Sequence, residues 1–121
     1  MLDAPIDEAA FAQLLETVGG DRAFLAELIE TYLADSPGLL DEMRSALAAD
    51  DRVALRRAAH TLKSTSSSLG ALALAATCRD LEAAAPEAPP DELARRADDV
   101  ALRYGAARAA LQARLDGGAA S

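Results

Sequence analysis

Apolar residues in this chain recur at helical spacings of three and four, and this periodicity limits the possible folds more than any other feature. The clearest apolar stripe lies near the C-terminus and comprises Leu93, Ala97, Val100, Tyr104, Ala107 and Leu111. Such a stripe gives a helix one continuous apolar face over more than three turns. No window alternates apolar and polar residues as half-buried strands do. The sequence therefore predicts an all-α fold.

Strong helix formers fill the chain, while aspartate, glycine and proline divide it into segments. Alanine occupies 31 of the 121 positions, and alanine and leucine are among the residues with the highest helix propensity. Asp21 and the pair Asp50-Asp51 are suited to cap the stripes that follow them, and Gly19-Gly20 is suited to end the first helix. These signals predict helices over residues 7–18, 22–49, 52–68 and 71–84, and a fifth helix that is capped by Asp91.

A proline falls within the second predicted helix without shifting its apolar stripe. Pro37 costs about 3 kcal/mol in a helix interior, which by itself favours a break after Ser36. The stripe nevertheless keeps its helical phase from Leu25 to Leu47. We therefore expect one long, kinked helix that ends near Ala49.

The helices and their connections predict a single domain. The stretch 86–90 contains three prolines and is predicted to be the loop before the fifth helix. We expect residues 1–116 to form an antiparallel four-helix bundle with a short additional N-terminal helix. Residues 117–121 are expected to be a disordered tail. Because such a bundle closes its own core, we expect a monomer.

Charge and composition exclude several classes of function. The net charge of −8 at pH 7 argues against binding to nucleic acid or to an anionic membrane surface. No apolar run reaches the roughly 18 residues of a membrane span, and the first residues lack the pattern of a signal peptide. The single cysteine, Cys78, is in phase with Leu74 and Leu81, so we interpret it as a core residue. With one histidine and one cysteine we expect no metal site, and a reducing cytoplasm as the location.

The only histidine, His60, lies on the exposed face of the third predicted helix. On a helical wheel with 100° per residue, the core-type residues fall between about 160° and 240° from His60. They are Leu55, Ala58, Leu62, Ser66 and Leu69. A lone helical histidine is often an ordinary core or surface residue. The wheel removes the core interpretation, because it points the imidazole away from the apolar face.

The residues around His60 are basic or small. Lys63 is the only lysine in the chain and lies one helical turn from His60. Arg52, Arg56 and Arg57 lie on the same helix, which has no acidic residue after Asp51. The nearby serines have small side chains, so another protein could come close to the imidazole. A histidine that carries a phosphoryl group needs an exposed nitrogen, positive charge and steric room. The third helix supplies all three.

The segment that contains His60 resembles the signature of histidine phosphotransfer (HPt) domains. Residues 59–71 read AHTLKSTSSSLGA, and the signature reads A-H-x-L-K-G-x-[SA]-x-x-L-G-A, followed by a leucine and an acid on the next helix. Leu81 and Glu82 match those last two positions, so that the likeness covers about 24 residues closely. Ser64 stands where the family usually has glycine, and serine is also small.

The resemblance implies a role for each matched residue. His60 is similar to the phosphoacceptor, Lys63 to the residue that neutralises the phosphoryl group, and Glu82 to an acid or amide that orients the imidazole. For Glu82 the sequence leaves open a second interpretation, an ordinary solvated acid on a helix. A carboxylate that accepts the Nδ1 proton would leave Nε2 as the nucleophile. The residues expected to bind partners are Arg56, Arg57, Ser64, Ser67 and Gly70.

The same resemblance implies which partners act with the domain. They are receiver domains of response regulators, a hybrid sensor histidine kinase, or both. The receiver would supply Mg²⁺, so we expect no cofactor of the chain's own, no ATP site and no autokinase activity.

Two other functions are compatible with a helical bundle that exposes a histidine. The first is the dimerisation helix pair of a sensor kinase, but that family places an acid directly after its histidine, where this chain has Thr61. No glycine-rich ATP-binding segment follows in these 121 residues either. The second is a binding-only adaptor that regulates a receiver domain or kinase without phosphotransfer. The sequence leaves this second function open.

Overall fold

The computed structural model describes residues 4–118, and within them the chain forms five α-helices. The helices are α1 (Glu8–Thr17), α2 (Arg22–Ala49), α3 (Arg52–Ser68), α4 (Leu72–Ala84) and α5 (Pro90–Gly118). Helix α3 packs against α2 and α4, and α5 packs against α4 and α2. Short connections join α2 to α3, α3 to α4 and α4 to α5, and each of these helices packs against the next, so these four run antiparallel. The predicted antiparallel four-helix bundle with a short N-terminal helix is confirmed. None of the helices in this part of the chain is long and apolar enough to cross a membrane.

Aspartate side chains begin three of the helices. Asp7, Asp21 and Asp51 each accept a hydrogen bond from the backbone N–H three residues further on, at 2.9 to 3.0 Å. These bonds satisfy donors that the first turn of a helix leaves without a partner. The glycine pair after α1 has φ values of 70° and 76°, which end the helix as predicted.

The fifth helix differs from the prediction at its start. It begins at Pro90, so that Asp91 lies inside the first turn rather than at the cap. Proline suits the first helical position because its φ is already helical and its missing N–H is not needed there. Asp91 and Glu92 still favour this helix end through the dipole. At its other end the helix includes Gly117 and Gly118, while positions 119–121 of the predicted tail lie outside the described residues.

Pro37 lies inside a continuous α2, as the apolar stripe predicted. Next to it, the buried Ser36 hydroxyl donates to the Tyr32 carbonyl at 2.6 Å and lies 2.7 Å from the Tyr104 hydroxyl. The Tyr32 hydroxyl in turn lies 2.8 Å from Ser66 Oγ on α3. This buried hydroxyl network joins α2, α3 and α5, and burial raises the pKa of Tyr32. The network gives each of these buried hydroxyl groups a hydrogen-bond partner inside the core.

The inner face of α3 is the one that the helical wheel predicts. The five residues that the wheel assigned to the core are at most 4 % exposed. Ala59 is also fully buried, which the wheel did not predict, because α3 packs against two helices and therefore buries a wider arc. Cys78 is fully buried as expected, and burial raises the pKa of its thiol to about 12.

The N-terminal segment packs on the turn between α3 and α4. Ile6 is buried, and the Asp7 N–H donates to the Gly70 carbonyl at 2.8 Å. Gly70 has a φ of 84°, and a Cβ built on it would lie 3.3 Å from the Phe11 nitrogen. Glycine therefore suits this position both for its backbone conformation and for the close approach of α1. Arg114 of α5 pairs with Glu8 and lies over the Phe11 ring, which fastens α1 at its other side.

Candidate functional site

His60 occupies the middle of α3 with its ring in solvent. The side chain is 59 % exposed, whereas the neighbouring Ala59 and Leu62 are fully buried. The N-cap at Asp51 and the buried inner face of α3 fix the rotation of the helix, and that rotation turns position 60 outward. The exposed, mid-helix placement predicted for His60 is therefore present.

A single carboxylate joins the three residues that carry the predicted chemistry. Glu82 Oε2 lies 2.8 Å from His60 Nδ1, and Glu82 Oε1 accepts a hydrogen bond from Lys63 Nζ at 2.7 Å. The side chains of Glu82 and Lys63 are 14 % and 29 % exposed. The hydrogen bond from Lys63, aided by the one with His60, holds the pKa of the Glu82 carboxyl below its usual 4.5, although desolvation acts in the other direction.

The ionised Glu82 determines which nitrogen of His60 is available. A carboxylate can only accept hydrogen bonds, so the short contact assigns the proton to Nδ1. The lone pair of the neutral ring then lies on Nε2, the nitrogen that Glu82 does not contact. Because the ring is mostly exposed, an incoming group can reach Nε2. The arrangement presents an oriented nitrogen nucleophile at the surface of the bundle.

Two concavities lie on the α3–α4 surface, one lined by His60 itself and the other by Lys63 one turn away, and basic side chains line both. One has a volume of about 640 Å³ and is lined by Arg52, Arg56 and Arg57 together with His60 and Glu82. The other, of about 550 Å³, is lined by Lys63 and Arg79 among smaller residues.

Five of the chain's 12 basic residues line the two concavities. Of its 20 acidic residues, Glu82 alone lines them. The surface around His60 is thus basic in a chain whose net charge is −8.

Exposed apolar residues lie within the same surface. Val53 is 70 % exposed and lines the first concavity with Pro86, and Leu72 is 41 % exposed and lines the second. Single exposed apolar residues are ordinary on protein surfaces, and Phe24 and Leu102 are exposed elsewhere; Val53 and Leu72 add apolar area to the basic surface around His60.

Four of the five residues predicted to bind partners lie on this surface. Arg56 and Arg57 line the first concavity, and Ser64 and Ser67 line the second. Gly70 lies apart from them, because it is buried in the α3–α4 turn under the N-terminal segment. Gly70 therefore shapes the turn, and it is too buried to contact a partner directly.

Several residues of the surface were not assigned to the site from sequence. Arg79 precedes Glu82 by three positions on α4, so a wheel of that helix would have found it on the same face. Pro86 and Leu72 had no such signal, because their places depend on where α4 begins and ends. Within residues 4–118 there is no group of histidine, cysteine or acidic residues that could hold a metal ion.

Comparisons with known proteins agree with the fold and with the motif. The family described as Hpt domain matches residues 27–117, and the chain belongs to this family. Its members carry phosphoryl groups on histidine in phosphorelays, together with response regulators and kinases. No curated protein matched the sequence significantly.

Among solved structures, the chain is similar to histidine-containing phosphotransfer protein B (HptB) from Pseudomonas aeruginosa PAO1. The TM-score is 0.85, with 26 % sequence identity, and the match covers 95 % of this chain and 97 % of that chain. The likeness therefore includes nearly the whole of both proteins, including the region before residue 27 in which α1 lies.

Proposed function

We propose that His60 accepts a phosphoryl group from the phosphoaspartate of a receiver domain, or from a sensor kinase, and passes it to another response regulator. The observation that carries this proposal is the 2.8 Å contact between His60 Nδ1 and Glu82, which leaves Nε2 as the exposed nucleophile. The basic surroundings support it, because a phosphoryl group brings negative charge that arginine and lysine neutralise.

In the proposed transfer, the Nε2 lone pair attacks phosphorus in line with the bond to the aspartyl oxygen. The N–P bond forms as the P–O bond breaks, and the aspartate of the receiver leaves as a carboxylate with the electron pair. The ring keeps its proton on Nδ1, and Glu82 stabilises the positive charge that develops there. Passing the group to a second receiver is the reverse of this reaction. Mg²⁺, in this proposal, is held by the receiver.

Lys63 is proposed to neutralise the phosphoryl group once it is bound. Its ammonium group is held by Glu82 at 2.7 Å and lies one turn along α3 from His60. The flexible side chain is 29 % exposed, so it can turn from the carboxylate to a group on Nε2. A charge-assisted contact of this kind contributes about 1.5–3 kcal/mol, reduced by exposure to solvent.

The partner is proposed to dock over His60 and to cover both concavities. Arg56 and Arg57 would contact it on one side, and Ser64 and Ser67 would allow close approach on the other. The exposed Val53 would be buried by the partner. A monomer in the cytoplasm, where phosphorelay partners meet, is consistent with the charge and the single cysteine of the chain.

Mixing the purified chain with a panel of phosphorylated receiver domains tests the proposal. The expected result is rapid movement of the label from at least one receiver to the chain, and onward to a second receiver. The chain incubated alone with ATP and Mg²⁺ serves as a control and is expected to stay unlabelled. Stable complexes with receivers but no transfer of label would instead support the binding-only adaptor.

A further inference from the structure

Arg52 occupies a position at which its charge is unfavourable for its own helix. It is the first residue of α3, and the positive end of a helix dipole disfavours a cation there. Its side chain is only 28 % exposed and extends to the end of another helix. The guanidinium Nη1 donates to the Ala85 carbonyl at 3.1 Å and to the Ala88 carbonyl at 2.7 Å.

The helix that Arg52 reaches lacks the usual features of a helix end. Helix α4 has no basic residue in its last turn, and its C-cap, Ala85, has right-handed helical backbone angles rather than the left-handed ones typical of a glycine cap. The last carbonyls of a helix have no partner within it. Arg52 supplies a donor and a favourable charge at the carbonyl of the C-cap Ala85, and it also bonds Ala88 in the connection to α5. Asp50 Oδ1 lies 3.4 Å from its Nε.

The last turn of α4 is the turn that carries Glu82, two residues before the helix ends at Ala84. Helices α3 and α4 are joined by residues 69–71 at one end of the pair, so Arg52 connects them at the opposite end. Without that connection, this end of the pair would be held by the packing of Leu55, Leu81 and Ala85 and by the bonds of Glu82, and local opening there would be easier. The hydrogen bonds of Glu82 depend on this end staying in place, since they span the two helices.

We propose that Arg52 is a positioning residue that holds the last turn of α4 against α3 and so keeps Glu82 in contact with the His60 ring. This inference rests on the proposed function. The influence passes through backbone position rather than through charge, because the groups that lower the pKa of Glu82 are Lys63 and His60. Arg52 also lines the concavity beside His60, so direct contact with a partner is the competing explanation, and a purely structural cap is the other.

The ¹⁵N resonances of the His60 ring provide a readout that does not require phosphotransfer. In the unphosphorylated protein, at a pH at which the ring is neutral, they report the share of the Nδ1–H tautomer. We expect Arg52→Gln to shift this share toward the value of Glu82→Ala, and Arg52→Lys to give an intermediate shift. Arg44→Gln removes an equal charge from an exposed site on α2 and is expected to leave the tautomer unchanged.

A double variant separates the three explanations. Arg52→Gln should slow transfer from a phosphorylated receiver several-fold in the wild-type background and have no further effect on the rate or the tautomer in Glu82→Ala. If the rate still falls in the Glu82→Ala background while the tautomer is unaffected, Arg52 contacts the partner and the inference is wrong.

If Arg52→Gln lowers the melting temperature but leaves tautomer and rate as in the wild type, Arg52 is only a helix cap. Should the glutamine variant fail to fold, the same comparisons are made with Arg52→Lys. A protein that is never phosphorylated but shows the expected tautomer shifts would refute the proposed function alone.

Discussion

Replacing Glu82 by glutamine should destabilise the fold at neutral pH and have little effect in acid. Glutamine keeps the shape of the side chain but removes the charge that Lys63 and His60 share. Charge-assisted hydrogen bonds contribute about 1.5–3 kcal/mol, and fully exposed ion pairs about 0.2–1 kcal/mol. Glu82 and Lys63, at 14 % and 29 % exposed, lie between these cases. We therefore expect a loss of about 1 kcal/mol in the free energy of unfolding, or about 4 °C in Tm for a chain of this size.

The sign of the pH dependence follows from the lowered pKa of Glu82. A carboxyl group whose pKa is lower in the folded state contributes stability above its usual pKa of 4.5. That contribution is lost as the pH falls through the folded pKa, because the protonated group no longer pairs with Lys63. The wild type should therefore lose stability on acidification faster than Glu82→Gln, and the two curves should converge in acid.

Urea denaturation of both proteins at pH 7 and at about pH 3 measures this difference. Glu30→Gln, at an exposed position of α2, is the matched control and should follow the wild type at both values. Equal stability of Glu82→Gln and wild type at pH 7 would refute the reasoning, as would a difference that persists undiminished in acid.

The other predictions concern the buried network, the turn and the lysine. Tyr32→Phe should lower the free energy of unfolding by about 1–3 kcal/mol, because it leaves the buried Ser66 hydroxyl without its 2.8 Å partner; an unchanged urea midpoint would contradict this. Gly70→Ala should cost about 1–2 kcal/mol at its φ of 84°, with a Cβ 3.3 Å from the Phe11 nitrogen, and a melting temperature equal to the wild type would count against it. Lys63→Ala should slow the initial transfer rate and shorten retention of the label without preventing transfer, so a variant that is never labelled would show a larger role.

The exposed and buried faces of α3 could be predicted from sequence, because the 100° step between residues fixes both once the apolar positions are known. Leu62 and His60 fall on opposite sides of any regular helix in this register, whatever the other helices do. Ala59 was missed because its burial depends on α3 having two neighbours, which a single helix cannot indicate. The start of α5 was misplaced by two residues, because a cap at Asp91 predicts a helix from residue 92 while the helix begins at Pro90; both residues are favourable near a helix start.

The contacts between helices were less accessible to sequence. Glu82 was singled out by resemblance, and its carboxylate lies 2.8 Å from His60 Nδ1; its orienting role stays a prediction. That the same carboxylate also holds Lys63 was not predicted, because it depends on the distance between α3 and α4 at that level of the bundle. The hydrogen bonds from Arg52 to Ala85 and Ala88 have no sequence signal either, since their acceptors are backbone carbonyls.

Phosphoryl transfer to a His60→Gln variant shows whether His60 is the residue that carries the group. A receiver domain that labels the wild type is phosphorylated and mixed with each protein, and the initial rate of labelling is followed. His60→Gln should accept no label, while its stability changes by no more than about 0.5 kcal/mol, because the replaced ring is 59 % exposed. Labelling of His60→Gln at the wild-type rate would mean that another residue carries the phosphoryl group.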